Sequence, residues 1–222
     1  MNLPNGDLRS KICVSIAEPS VRACLDALRE VSFAEVRLDA IDGMAPDEVA
    51  AIFSLPLRLI ATCRPGRGRE EDRLALLLAA VAAGARCVDV ELETDVAFRA
   101  SVVNAARAAG TEVIVSHHDY ARTPCREDLC AIVDACFAAG ADVAKVACQA
   151  NDARDASRLL GLLDDSRRLV VIGMGAEGVI TRVVGPLLGG EFTFAALHEG
   201  AQTAPGQLDV VELERRMRVI LP

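Results

Sequence analysis

Eight short apolar runs, each followed by a stretch that reads as helix, constrain this chain more than any single residue does. The runs are Ile12–Ala17, Ala34–Ala40, Arg58–Cys63, Cys87–Leu92, Glu112–His117, Asp142–Ala147, Leu169–Met174 and Phe192–Leu197. They are rich in Val and Ile and nearly continuous in hydrophobicity, the pattern of parallel strands covered on both faces. Between them, Arg73–Ala83 and Ala97–Ala109 are built of Ala and Leu, which favour helix. Gly84, Gly110 and Gly140 stand where such helices must end. Asp95, Arg126–Asp128 and Asp152–Asp155 stand where later ones begin, and acids there suit the positive end of a helix dipole. No repeat, low-complexity segment or linker interrupts the alternation. Eight βα units in 222 residues predict an α/β fold, a (β/α)8 barrel forming one domain over residues 1–222. A doubly wound open sheet is the structural alternative.

Composition narrows the function classes. The 52% hydrophobic content can fill one core, and the net charge of -8 argues against nucleic acid and anionic membrane surfaces as partners. No apolar run approaches the roughly 20 residues of a membrane span. Met1 to Ser10 is polar and lacks a signal-peptide core. The eight cysteines include no C-x-x-C pair and mostly lie in apolar runs. They read as small core residues in a reducing cytoplasm, with no metal site.

A barrel places its chemistry at the C-terminal ends of the strands. The chain has two lysines, Lys11 and Lys145, against twenty-two arginines, and Lys145 lies in an apolar strand. A desolvated lysine can turn into a neutral amine that attacks carbonyls, which an arginine cannot. The other reading is a strand-end lysine paired with a carboxylate. On strand 2, a period of two puts Glu35, Arg37 and Asp39 on one face, toward the interior, and Val36 and Leu38 on the other. Interior charges must pair with each other or bind something. Strand 3 ends at Arg64, Pro65 and Gly66, opening a charged loop to Glu70 that serves as a lid or as solvated surface. Asp89 and Glu91 share a face of strand 4, placed to orient Lys145 or His118, or only to balance interior charge.

His117 and His118 close strand 5 and point oppositely, so one faces the mouth, where histidine serves as general acid or base. After strand 7, Gly173-Met174-Gly175-Ala176-Glu177-Gly178 matches G-x-G-x-x-G, but it follows the seventh strand and lacks the partner acid of a dinucleotide site. A glycine turn into a helix can still hold an anion, and Arg182 follows in that helix. After strand 8, Pro205-Gly206 makes a tight turn, with Gln207 expected to start the last helix.

Taken in order, Glu35-Val36-Arg37-Leu38-Asp39, Thr62-Cys63-Arg64-Pro65, Ser116-His117-His118-Asp119-Tyr120 with Thr123-Pro124, Asp142 to Val146, Met174 through Gly178 with Arg182, and Ala204-Pro205-Gly206-Gln207 resemble the type I 3-dehydroquinate dehydratase family. The resemblance spans nearly the whole chain. It implies a hydro-lyase turning 3-dehydroquinate into 3-dehydroshikimate on the route to chorismate, without a cofactor and as a homodimer. It implies that Lys145 forms an imine with the ketone and that His118 moves the proton. Arg182, Gln207 and Thr203 would hold the carboxylate; Glu35, Arg37 and Arg64 would meet ring hydroxyls or set the electrostatics; Met174 would pack on the ring. The loop after Arg64 departs from the Glu-Gly-Gly common in relatives, and His117 stands where some carry Asn. The rival readings are another Schiff-base barrel, an aldolase of sugar phosphates, and a non-catalytic ligand-binding relative.

Overall fold

A computed structural model describes residues 8–66 and 69–220. The strands are β1 (Ile12–Ile16), β2 (Phe33–Arg37), β3 (Arg58–Thr62), β4 (Cys87–Glu91), β5 (Glu112–Asp119), β6 (Val143–Gln149), β7 (Leu169–Met174) and β8 (Thr193–Ala196). The helices are α1 (Val21–Ala27), α2 (Val49–Phe53), α3 (Glu70–Ala82), α4 (Val96–Ala109), α5 (Arg126–Ala138), α6 (Ala153–Leu160), α7 (Val179–Val184) and α8 (Val210–Ile220). The strands pair in the order β7-β6-β5-β4-β3-β2-β1-β8, all parallel, giving the expected barrel rather than an open doubly wound sheet. The seam lies between β7 and β8, where Glu191 N–H donates to the Leu169 carbonyl at 2.8 Å.

The period of two sorts each strand. Outward positions such as Val14, Val36, Val88, Val115 and Val146 join Leu77, Val102, Leu129 and other helix residues in one apolar shell. Inward positions form a second cluster, with Cys13, Phe33, Ile60, Cys87, Ile114, Val143 and Phe192 filling the lower barrel. Full burial of each such large side chain is worth about 1.5–3 kcal/mol. Two residues further along six strands, the same inward face turns polar: Ser15, Glu35, Thr62, Asp89, Ser116 and Lys145, all buried. The site is therefore a polar storey resting on an apolar plug.

Local signals explain the helix ends. Asp95 caps α4 by accepting from Ala97 and Phe98 N–H, and Asp152 caps α6 in the same way; such a cap contributes about 1 kcal/mol. Gly110 ends α4 in the left-handed conformation, at φ 73°.

Four expectations need adjustment. Strand β2 stops at Arg37, and Leu38–Ala40 forms a 3-10 turn, so Asp39 leaves the strand face that was expected to carry it. Strand β5 runs on to Asp119, and α3 starts earlier, at Glu70. Gln207 precedes α8, which begins at Val210. Arg67 and Gly68 of the expected lid, and Met1 to Asp7 of the polar start, lie outside the described residues. Among the described residues no helix is long and apolar enough to cross a membrane.

Candidate active site

Lys145 reaches into the polar storey from β6. Its Nζ lies 3.1 Å from Asp89 Oδ2 and 3.7 Å from Glu35 Oε1, and 4.2 Å from the centre of the Phe194 ring. The lysine is thus both paired with carboxylates and open to a pocket, which combines the two readings of the sequence. Glu35 is fixed on its other side, accepting from Ser15 Oγ at 2.9 Å and Thr62 Oγ1 at 3.0 Å.

Asp89 is the hub. Besides Lys145 it accepts from Ser116 Oγ at 2.6 Å and from both ends of the Arg64 guanidinium, at 3.1 and 3.2 Å. Burial alone would raise the Asp89 carboxyl; Arg64 and then Lys145 outweigh it and hold it well below the usual carboxylate range. Arg64 also lies 3.3 Å from Glu91 Oε1. Arg37 closes a fork with Asp39 at 2.7 and 3.0 Å, and Asp39 Oδ1 accepts the Arg64 N–H at 3.0 Å. Asp39 thus clamps two elements of the site from the 3-10 turn, which its displacement from the strand allows.

Of the paired histidines, His118 faces inward and His117 outward, where its Nδ1 meets the Glu93 carboxylate. That partner raises His117 above its ordinary value. His118 moves the other way: burial, then the nearby Arg64 and Lys145 charges, push it well below 6.5. Its ring stacks on Tyr120 at 6.0 Å between centres. A buried neutral imidazole stands ready to accept a proton at neutral pH.

Arg182 is the exception in this network of matched charges. It is 1% exposed, donates to the carbonyls of Pro205 at 3.1 Å and Phe194 at 3.5 Å, and leaves its Nε without a partner. No carboxylate pairs with it among the described residues, and burial pulls it down to about 10. The glycines of the G-x-G-x-x-G stretch set its position. A Cβ on Gly178 would lie 2.3 Å from the Gly173 carbonyl carbon, so only glycines let the chain fold back there from β7 into α7. Gly206, at φ +72°, lies against the Gly175 carbonyl, where a Cβ would come within 2.4 Å. These glycines are spent on backbone packing. The adjoining loop brings Gln207, whose Oε1 accepts from Thr203 N–H at 2.7 Å and whose Nε2 donates to Ser15 Oγ at 3.3 Å.

One pocket joins these pieces, and Glu35, Arg37, Arg64, His118, Lys145, Met174, Arg182, Thr203 and Gln207 all line it. Sequence reasoning overlooked Ser15 and Phe194, which also line it, and Ser116, which ties Asp89 to Arg64. A lone hydroxyl at an inward position of an apolar strand was the available signal for both serines.

A family model described as type I 3-dehydroquinase matches residues 12–220. The chain belongs to the type I 3-dehydroquinase family. Its curated relatives carry the name 3-dehydroquinate dehydratase, and that is its enzyme class. The Methanosarcina mazei relative is 32% identical, over 96% of this chain and 97% of its own. The Desulfotalea psychrophila one is 36% identical, over 91% and 95%. Among solved structures, a type I 3-dehydroquinate dehydratase from Clostridium difficile, with covalently modified comenic acid, superposes with a TM-score of 0.84 at 25% identity, covering 97% of this chain and 93% of that one. The barrel of this type I 3-dehydroquinase is therefore that of its family.

Proposed function

We propose that the chain, acting as one catalytic domain, dehydrates 3-dehydroquinate to 3-dehydroshikimate through an imine on Lys145, with His118 carrying the proton. The observation that carries the reading is a division of charge within one pocket. Lys145 is an amine already matched by carboxylates, while Arg182 is a buried cation that lacks one among the described residues. A substrate that brings both a ketone and a carboxylate satisfies both.

The Lys145 nitrogen gives up two protons as it adds to the ketone carbon, and these leave with the carbonyl oxygen as water; a protonated imine replaces the ammonium, so the charge at that point does not change. Asp89 and Glu35, which pair with the ammonium, remain in place for the iminium. The iminium draws electrons from C2, and the neutral His118 ring takes the C2 proton, leaving an enamine and an imidazolium. The imidazolium returns its proton to the C1 hydroxyl, which leaves as water. Hydrolysis of the product imine then frees the ketone and restores the Lys145 ammonium. Arg182 grips the carboxylate at C1, with Gln207 and Thr203 beside it, and a bidentate arginine fixes the plane of that group. Arg37, Arg64 and Glu35 face the hydroxyls, and Met174 packs against the ring. The scheme draws on side chains alone.

The test is turnover of 3-dehydroquinate, followed by the ultraviolet absorbance of the conjugated product. Turnover unaffected by inorganic phosphate supports the reading. Cleavage of sugar phosphates with competition by phosphate would instead indicate an aldolase, and tight binding without turnover a non-catalytic relative.

A further inference from the structure

We infer that Glu91 is the positioning residue for His118, holding the imidazole so that its other ring nitrogen meets the substrate; the inference rests on the function proposed above. His118 Nδ1 is buried and has no hydrogen-bond partner among the described residues, and the group it faces is Glu91 Oε1, at 3.5 Å. The two side chains stand on neighbouring strands. Glu91 pairs in register with Ser116, and His118 is the next inward position on β5. Both are nearly enclosed, with 16% and 11% of their side chains exposed.

The charges around His118 explain why it needs this partner. Arg64 from the end of β3 and Lys145 from β6 are cations, and His117 lies beside it on β5. Asp89 from β4 is an acid, but it is committed to Arg64, Ser116 and Lys145. An imidazolium formed by taking a substrate proton would meet two cations in a buried site. Glu91 supplies the missing anion at the one ring nitrogen that is not available to substrate. It accepts Nδ1–H, which sets the tautomer with the bare nitrogen facing the pocket, and it stabilises the charge once the proton arrives. The 3.5 Å separation is long for a hydrogen bond, and catalytic hydrogen bonds commonly shorten when substrate binds. Glu91 also touches Arg64 at 3.3 Å, so a purely structural role through Arg64 is the competing account.

Glu91→Gln separates the two. Acting through His118, it lowers kcat about 10- to 100-fold with KM within about 3-fold, the range seen when an orienting partner is lost. Borohydride still traps an adduct on Lys145, because Glu91→Gln leaves that amine and its carboxylate partners in place. The acid limb of kcat/KM moves to lower pH, since removing the carboxylate disfavours the imidazolium. A primary isotope effect on C2-deuterated substrate grows. In a His118→Ala background, adding Glu91→Gln costs nothing further, because the residue it serves is gone. An equal loss in both backgrounds, or an unmoved acid limb and isotope effect, would overturn the inference and assign Glu91 to Arg64. Failure of the wild type to turn over or trap substrate would instead remove the proposed function itself.

Discussion

Lys145 and Asp89 meet at 3.1 Å although β5 runs between their strands, and the same carboxylate holds Arg64 with its two oxygens. This contact builds the site and also puts it at risk. Asp89 has no exposed side-chain surface, and removing its charge leaves Arg64 and Lys145 with only the longer contacts to Glu91 and Glu35 as counter-charge. Asp89→Asn should therefore cost about 3–5 kcal/mol of folding stability. Urea unfolding monitored by circular dichroism measures it; a loss under 1 kcal/mol would mean that the pair contributes little to the fold.

Arg182 makes the reverse case. It is buried with no carboxylate beside it among the described residues, so no anion there offsets its desolvation. Arg182→Met should leave stability within about 1 kcal/mol of wild type or raise it, because apolar replacement of buried charge is often neutral or stabilising. Substrate binding should weaken by roughly 10- to 150-fold, the value of about 1.5–3 kcal/mol for a charged hydrogen bond. Thermal melts and KM, taken together, check this; a large drop in stability with KM unchanged would place Arg182 in the scaffold.

The two histidines titrate in opposite directions. His118 lies below 6.5 in the folded chain, so the unfolded chain binds its proton first. The stability it contributes is complete above pH 6.5 and is lost as pH falls toward its folded value. His117 lies above 6.5, so its contribution is complete below pH 6.5 and is lost as pH rises through its folded value. NMR of the imidazole protons should show one resonance titrating on each side of the ordinary value. The acid limb of kcat/KM, which reports the base, should fall below pH 6.5; a limb above it would point to His117.

Gly206 tests the glycine packing. With φ at +72° and the Gly175 carbonyl where a Cβ would go, Gly206→Ala should cost about 1–3 kcal/mol from backbone strain. It should also raise KM, since the displaced loop carries Thr203 and Gln207. A variant with wild-type stability and KM would show that the loop adapts.

The barrel was legible because strand and helix periods differ and eight buried strands leave few alternatives. The polar storey was legible in part. Glu35, Asp89 and Lys145 stood out as charges at inward positions of apolar strands, whereas Ser15 and Ser116 did not, because a buried serine costs little and leaves no pattern. Asp39 was misplaced because strict alternation cannot foresee where a strand gives way to a 3-10 turn. The partnership of Lys145 with Asp89 rests on barrel curvature, which brings alternate strands together across the interior and has no trace in local sequence. The G-x-G-x-x-G stretch looked like an anion loop, but close backbone approach uses up its glycines, and only three-dimensional packing shows this.

Intact mass after borohydride reduction with 3-dehydroquinate is the most direct test of the central claim, with Lys145→Ala as control. The account predicts a single substrate-sized adduct on the wild-type chain, mapped to Lys145 by peptide digestion, and none on the variant. Turnover without any adduct, or an adduct that persists in Lys145→Ala, would contradict it.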